Sequence, residues 1–163
     1  MSGIENVNVD SLIICHSRGK YYNMTDNLNQ QIVIKKIECH IPFGIEKFND
    51  KMILNIELCS SNENNNILSK IQSIENSATK KFQNLGLNSV VKKSKLGFII
   101  RTHYLKNTDC FILKKNNEKM MIDEVNLNLS DCEADLTIKG IWTSDNYYGL
   151  YIIVNSIKVI KFN

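Results

Sequence analysis

The stretch KMILNIELCSSNENNNILSKIQSIENSATKKFQNL (residues 51–85) changes period part-way, and that change decides the fold class. In its first part, Ile53, Asn55 and Glu57 fall on one face, and Met52, Leu54, Ile56 and Leu58 on the other. Alternation with one apolar face is the pattern of a half-buried strand. After the Asn-rich run at 62–66, apolar residues recur at steps of three and four: Ile67, Ile71, Ile74, Ala78, Phe82 and Leu85. That spacing gathers them on one stripe of an amphipathic helix. The Asn residues before it suit the cap of its first turn, and Gly86 suits its end.

Strands are expected on both sides of the helix. Before the helix stand 11–16 (SLIICH), 32–41 (IVIKKIECHI) and 51–59. After it stand 96–106 (LGFIIRTHYLK), 110–115, 119–129, 134–143, 148–154 and 157–162. Turn-forming residues separate them at Asn107-Thr108-Asp109, Asn116-Asn117, Ser130-Asp131, Ser144-Asp145-Asn146 and Asn155-Ser156. Three strands, one helix and then more strands is the order of an OB-fold, a five-stranded barrel with its helix between strands three and four. The sequence therefore predicts a mainly β chain: an OB-fold-like β-barrel with one amphipathic helix and extra C-terminal strands. A β-sandwich with one helix is the competing architecture. No linker or repeat divides the 163 residues, so one domain spanning 1–163 is expected.

Several function classes fall away. No apolar run reaches the ~20 residues of a membrane helix. The start, MSGIENVNVD, lacks a basic segment followed by an apolar one, so no secretory signal is read there. Five Cys (15, 39, 59, 110 and 132) without a CxxC read as free thiols in a reducing compartment inside a cell. Cys15-His16 and Cys39-His40 invite a zinc reading, but neighbours in a strand point to opposite faces, so neither pair readily offers both ligands to one metal. There is no Gly-rich phosphate loop, no GxSxG and no HExxH. Asp123-Glu124 is a carboxylate pair whose members diverge in a strand. Neither an enzyme, a cofactor nor a metal is expected.

The charge pattern is more informative than the net charge of +3. Between residues 76 and 108 there is no Asp or Glu, while Lys80, Lys81, Lys92, Lys93, Lys95, Arg101 and Lys106 lie there. A basic span without acids is a footprint for an anionic partner. In 96–106, Phe98, Ile100, Thr102 and Tyr104 share the face fit for a core. Ile99, Arg101, His103 and Leu105 share the other. A guanidinium and an imidazole beside lysines suit single-stranded nucleic acid, which needs cations for its backbone and planar groups for its bases.

The segment GIWTSDNYYGLYIIVNSIKVI (residues 140–160) supplies rings. Alternation places Trp142 with Leu136 and Ile138 on the apolar face, and Tyr148 with Leu150, Ile152 and Val154. Tyr147 and Tyr151 fall opposite, with Gly149 between them as an open floor. The expected binding set is Lys92, Lys93, Lys95, Arg101 and Lys106 on phosphates, Tyr147, Tyr151 and His103 on bases, and Lys139 and Lys158 flanking the groove.

With those residues in view, KGIWTSDNYYGLYIIVNSIKVIKF (139–162) and IPFGIEKFNDKMILNIEL (41–58) resemble the single-stranded DNA-binding proteins of large eukaryotic DNA viruses. These are OB-fold proteins distantly similar to phage replication proteins of the same role. The resemblance spans most of residues 32–162. It implies sequence-independent coating of single strands in viral DNA replication and recombination, with replication proteins as partners. Such proteins often carry an acidic C-terminal tail that recruits them, whereas this sequence ends in Lys158, Lys161, Phe162 and Asn163. The rival reading is a β-rich viral structural or protein-interaction domain that binds no nucleic acid. The sequence does not separate DNA from RNA, nor fix the oligomeric state.

Overall fold

The computed structural model describes residues 1–122 and 127–162. In chain order its elements are β1 (Ser2–Gly3), β2 (Ile13–Arg18), β3 (Tyr21–Thr25), β4 (Ile32–His40), β5 (Ile45–Phe48), β6 (Lys51–Cys59), α1 (Asn62–Ser77), β7 (Gly86–Leu87), β8 (Val91–Lys93), β9 (Gly97–Leu113), β10 (Lys119–Met121), β11 (Asp131–Thr143) and β12 (Tyr147–Lys161). Five of these strands close a ring in the order β4-β6-β9-β12-β11 and back to β4. Every step of the ring is antiparallel except β9 to β12, which is parallel. With strands numbered around the barrel in chain order, this is the 1-2-3-5-4-1 closure of an OB-fold. The seam between β4 and β6 is held by the single pair His40 and Glu57.

The fold class matches the expectation, but the helix sits one strand earlier than expected. It follows the second ring strand, not the third, because 11–16 is not a ring strand. β2 starts two residues later than expected and pairs with β3 as a hairpin that extends the sheet beyond β11. Most of β2 is exposed, and such a strand has no buried face to give to a barrel. Of the added strands, only β10 falls in a range expected after the helix, 119–129; β7 and β8 lie between the helix and the third ring strand, where no strand was expected, and β1, β2, β3 and β5 precede the helix.

The helix is also shorter than its stripe. Regular α-helix ends at Ser77, and a 3-10 turn over Ala78–Lys80 carries Ala78 and Phe82 into the core. Ser61 caps it by accepting from Asn64 N, and the Asn run lies inside the first turns. Gly86 does not end the helix; it pairs with Tyr147 in β7. Burial of Ile71 and Ile74 against the barrel holds this Asn-rich helix, at roughly 1.5–3 kcal/mol for each side chain.

Two expected turns are bulges inside long strands. At 107–109, Thr108 Oγ1 accepts from Leu105 N and donates to Val154 O, each at 2.9 Å. The hydroxyl takes the place of a missing ladder bond, so 96–106 and 110–115 run on as β9. At Asn155, the amide side chain donates to Thr137 Oγ1, and 148–154 and 157–162 run on as β12. In 119–129 the strand covers only Lys119–Met121, and part of that range, with the Asp123-Glu124 pair, lies outside the described residues.

Candidate nucleic-acid interface

The faces of β9 are as the alternation predicts. Phe98, Ile100, Thr102 and Tyr104 are buried, while Arg101 is exposed and His103 half-buried on the outside. On β12, Tyr148, Leu150, Ile152 and Val154 are buried, Tyr147 is 52% exposed, and Tyr151 is half-buried.

Trp142 is not on the apolar face. Ile138 pairs with Ile152 and Gly140 with Tyr151, so Lys139 is an extra residue that shifts the alternation by one. Leu136, Ile138 and Ile141 point inward, and Trp142 turns outward opposite Gly149. Its indole lies so close over Gly149 that a Cβ there would stand 2.7 Å from the ring. The turn itself carried the signal: a hairpin that pairs Thr143 with Tyr148 pairs Trp142 with Gly149, and directly opposed side chains share a face. Gly140 is required for a different reason, since a Cβ there would stand 1.8 Å from Tyr22 O, on the strand that brings in Tyr21.

The outward row therefore crosses strands about 4.8 Å apart. Tyr21 on β3 pairs with Trp142 on β11, which pairs with Gly149 on β12. The Tyr21 and Tyr151 rings meet edge-on at 5.8 Å, and Tyr151 lies 4.6 Å from His103. Lys51 Nζ donates to Tyr21 Oη at 2.7 Å. Burial, with the cations Lys51 and Arg101 beside it, lowers the His103 pKa to about 4, so at neutral pH its ring is uncharged and flat. Burial also raises the Tyr151 pKa, aided by Tyr21 and opposed by Lys51.

Two hollows flank the row. One, of about 140 Å³, is lined by Phe43, Asn55, Lys92, Ile99 and Arg101 among others. The other, of about 540 Å³, is lined by Arg18, Lys20, Tyr21, Lys51 and Trp142 among others. Phe43 and Phe48, in the segment between β4 and β6, are 57% and 70% exposed.

Of the residues singled out in the sequence, Lys92, Arg101, His103, Tyr147 and Tyr151 come together on this side. Lys93 and Lys95 are exposed on β8 and the turn after it, and Lys106 is exposed further along β9. Lys139 is half-buried at its bulge. Lys158 lies 3.9 Å from Glu133, seven residues along β12 from Tyr151, or about 23 Å at about 3.3 Å per residue. Sequence reasoning missed Trp142, Tyr21, Lys51, Phe43 and Phe48, whose neighbours are fixed by pairing between distant strands. The five Cys are free. Cys39 and Cys132 form a buried cross-strand pair; burial raises both thiol pKa values, that of Cys132 to about 11. His16 Nε2 contacts Gly19 O and His40 Nδ1 contacts Asp131 Oδ1, so the two Cys-His pairs face separate partners.

No protein-family model matches the sequence, and no curated protein matches it. Solved structures do match the fold. The single-stranded DNA-binding protein from bacteriophage Enc34 superposes with a TM-score of 0.53 at 12% identity, over 92% of this chain and 89% of that one. The same phage protein in complex with ssDNA gives 0.53 at 12% identity, over 93% and 96%. Its C-terminal truncation gives 0.54 at 12% identity, over 96% and 98%. The likeness is one of fold and runs to the phage side of the resemblance; it lends no support to the large eukaryotic DNA viruses.

Proposed function

We propose that this protein binds single-stranded DNA without sequence preference on the outer face of β6, β9, β12 and β11. The observation that carries the reading is the outward row itself: Tyr21, Trp142, Tyr151 and His103 side by side, edged by Lys51, Arg101 and Lys92. Rings accept the π-face of any base, at roughly 1–3 kcal/mol for each stack, and cations track the backbone. OB-folds commonly receive oligonucleotides on the face of ring strands two and three and on the loops joining strands one to two and four to five. Here those are β6, β9, the segment with Phe43 and Phe48, and the turn beside Tyr147. The fold likeness to a phage protein solved with ssDNA supports the same reading.

In this reading Tyr147 extends the platform, Lys93 and Lys95 meet the backbone as it leaves, and the chemistry is binding, with no bond made or broken. The sequence resemblance adds a role in viral DNA replication and recombination, with replication proteins as partners, and the free cysteines suit a reducing compartment. Fluorescence anisotropy with labelled single-stranded, double-stranded and RNA oligonucleotides over a salt series tests it. Salt-dependent binding that favours single strands of any sequence is expected. Absence of binding at low salt would return the protein to the class of β-rich interaction domains.

A further inference from the structure

Beyond the barrel ring, the β2–β3 hairpin walls off the larger hollow, about 540 Å³, against the turn that joins β11 to β12. That volume lies within the range of about 300–1,000 Å³ of small-ligand pockets. Its wall is pinned in place. Thr143 N and Oγ1 both donate to Lys20 O, at 2.8 and 2.9 Å, and His16 Nε2 lies 2.8 Å from Gly19 O. Lys51 is likewise fixed on Tyr21 Oη.

The hollow gathers positive charge. Arg18, Lys20 and Lys51 line it, and among the described residues no Asp or Glu does. Among the described residues these three cations make one ion pair with a carboxylate: Asp145 Oδ1 lies 3.4 Å from Lys20 Nζ at the rim. Three cations less one carboxylate leave two positive charges. A phosphodiester inside a strand brings one negative charge, whereas a phosphate monoester brings about 1.5 to 2 at neutral pH. The hollow also lies at the margin of the platform, where the sheet ends in β3 and β2, so a strand crossing the face runs out there.

We infer that this hollow holds the phosphorylated end of a single strand. The terminal base packs against Tyr21 and Trp142, and its phosphate monoester meets Arg18, Lys51 and Lys20, displacing Asp145 from Lys20. This rests on the single-strand reading above. A free nucleoside monophosphate offers the same chemistry, and the two sources are separable.

The test uses one internally labelled oligothymidylate length in four forms: hydroxyl at both ends, 5′-phosphate, 3′-phosphate, and closed circle. One phosphorylated form is expected to bind about fivefold tighter than the hydroxyl form at low salt, in line with one or two exposed ion pairs gained. The circle is expected to bind like the hydroxyl form. Arg18→Gln, and independently Lys20→Gln, should abolish the preference and leave binding of the circle unchanged. Thymidine monophosphate at high concentration should remove the advantage of the phosphorylated strand over the circle. Equal affinity for all four forms overturns the end-binding inference and leaves the platform standing. Failure of every form to bind overturns the platform itself.

Discussion

Gly149 sets how closely the Trp142 indole lies on the sheet. A Cβ there would stand 2.7 Å from Cε2, Cζ2 and Nε1 of the ring, so Gly149→Ala must lift the indole off its floor. Because Trp142 is half-buried and outward, Trp142→Ala is expected to act on binding more than on folding. A loss of about 1–3 kcal/mol in single-strand affinity is expected for Trp142→Ala, and a smaller loss for Gly149→Ala. Quenching of the single Trp by acrylamide gives an independent view: accessible in the free protein, protected when the strand binds. Equal shielding in both states would put the ring in the core after all. His103 makes a pH prediction at the same scale. Its folded pKa of about 4 lies below the ordinary 6.5, so the unfolded chain binds more protons between those values. The stability this residue contributes is present above about pH 6.5 and is lost as pH falls toward 4. His103→Gln should flatten that part of the profile of melting temperature against pH. A variant whose profile tracks that of the parent would mean the imidazole is not held neutral.

At the scale of elements, a buried carboxylate ties α1 to the segment that enters β8. Glu75 is 1% exposed; its Oε1 accepts from Ser89 Oγ at 2.9 Å and its Oε2 from Val90 N at 3.0 Å. The segment so held leads into β8, which carries Lys92 and Lys93. Burial raises the Glu75 pKa, opposed by those two hydrogen bonds. The folded state keeps this proton to higher pH than the unfolded chain does, so the contribution of Glu75 falls as pH rises, opposite in sign to His103. Gln at this position can donate to Ser89 Oγ and accept from Val90 N. Glu75→Gln is therefore expected to match the parent or exceed it at neutral pH and to lose the pH dependence. Glu75→Ala leaves the buried Val90 N–H without a partner and should cost about 1–3 kcal/mol in urea unfolding. If Gln is as damaging as Ala, the negative charge matters here and the hydrogen-bond geometry does not. The elements themselves were unevenly legible in the sequence. β6 lies where its alternation put it, and the faces of β9 were readable because no bulge interrupts residues 97–104. Thr108 and Asn155 look like turn formers, yet both sit at bulges inside long strands, where the Thr108 hydroxyl bonds two backbone groups and the Asn155 amide bonds Thr137 on the neighbouring strand. Lys139 breaks the alternation by one residue, so counting forward from Leu136 places Trp142 on the wrong side, whereas counting back from the turn sets it opposite Gly149.

For the whole molecule, the question is which of the 20 Lys and Arg serve the outer face. Linear charge clustering answers it only in part, because the closed ring sends neighbours in sequence to different sides. Lys81 belongs to the acid-free span, but its Nζ donates to Ile14 O at 3.0 Å and lies over the Tyr22 ring, where it secures the N-terminal hairpin. Lys51 lies outside that span and among acids in sequence, yet pairing places it beside Tyr21. Lys92 and Arg101 line one hollow together, from strands adjacent in space. Each cation that meets a phosphate releases a counterion, and for single strands the slope of log K against log salt changes by about 0.7 per contact. Lys92→Ala and Arg101→Ala should therefore each shallow the slope by about 0.7, and the pair together by about twice that. Lys158→Ala is the control. Paired with Glu133 at the far end of β12, it should leave the slope unchanged, with the melting temperature of each variant checked against the parent. A slope that responds to Lys158 and not to Arg101 would move the bound DNA to the far end of β12, away from every ring in the row.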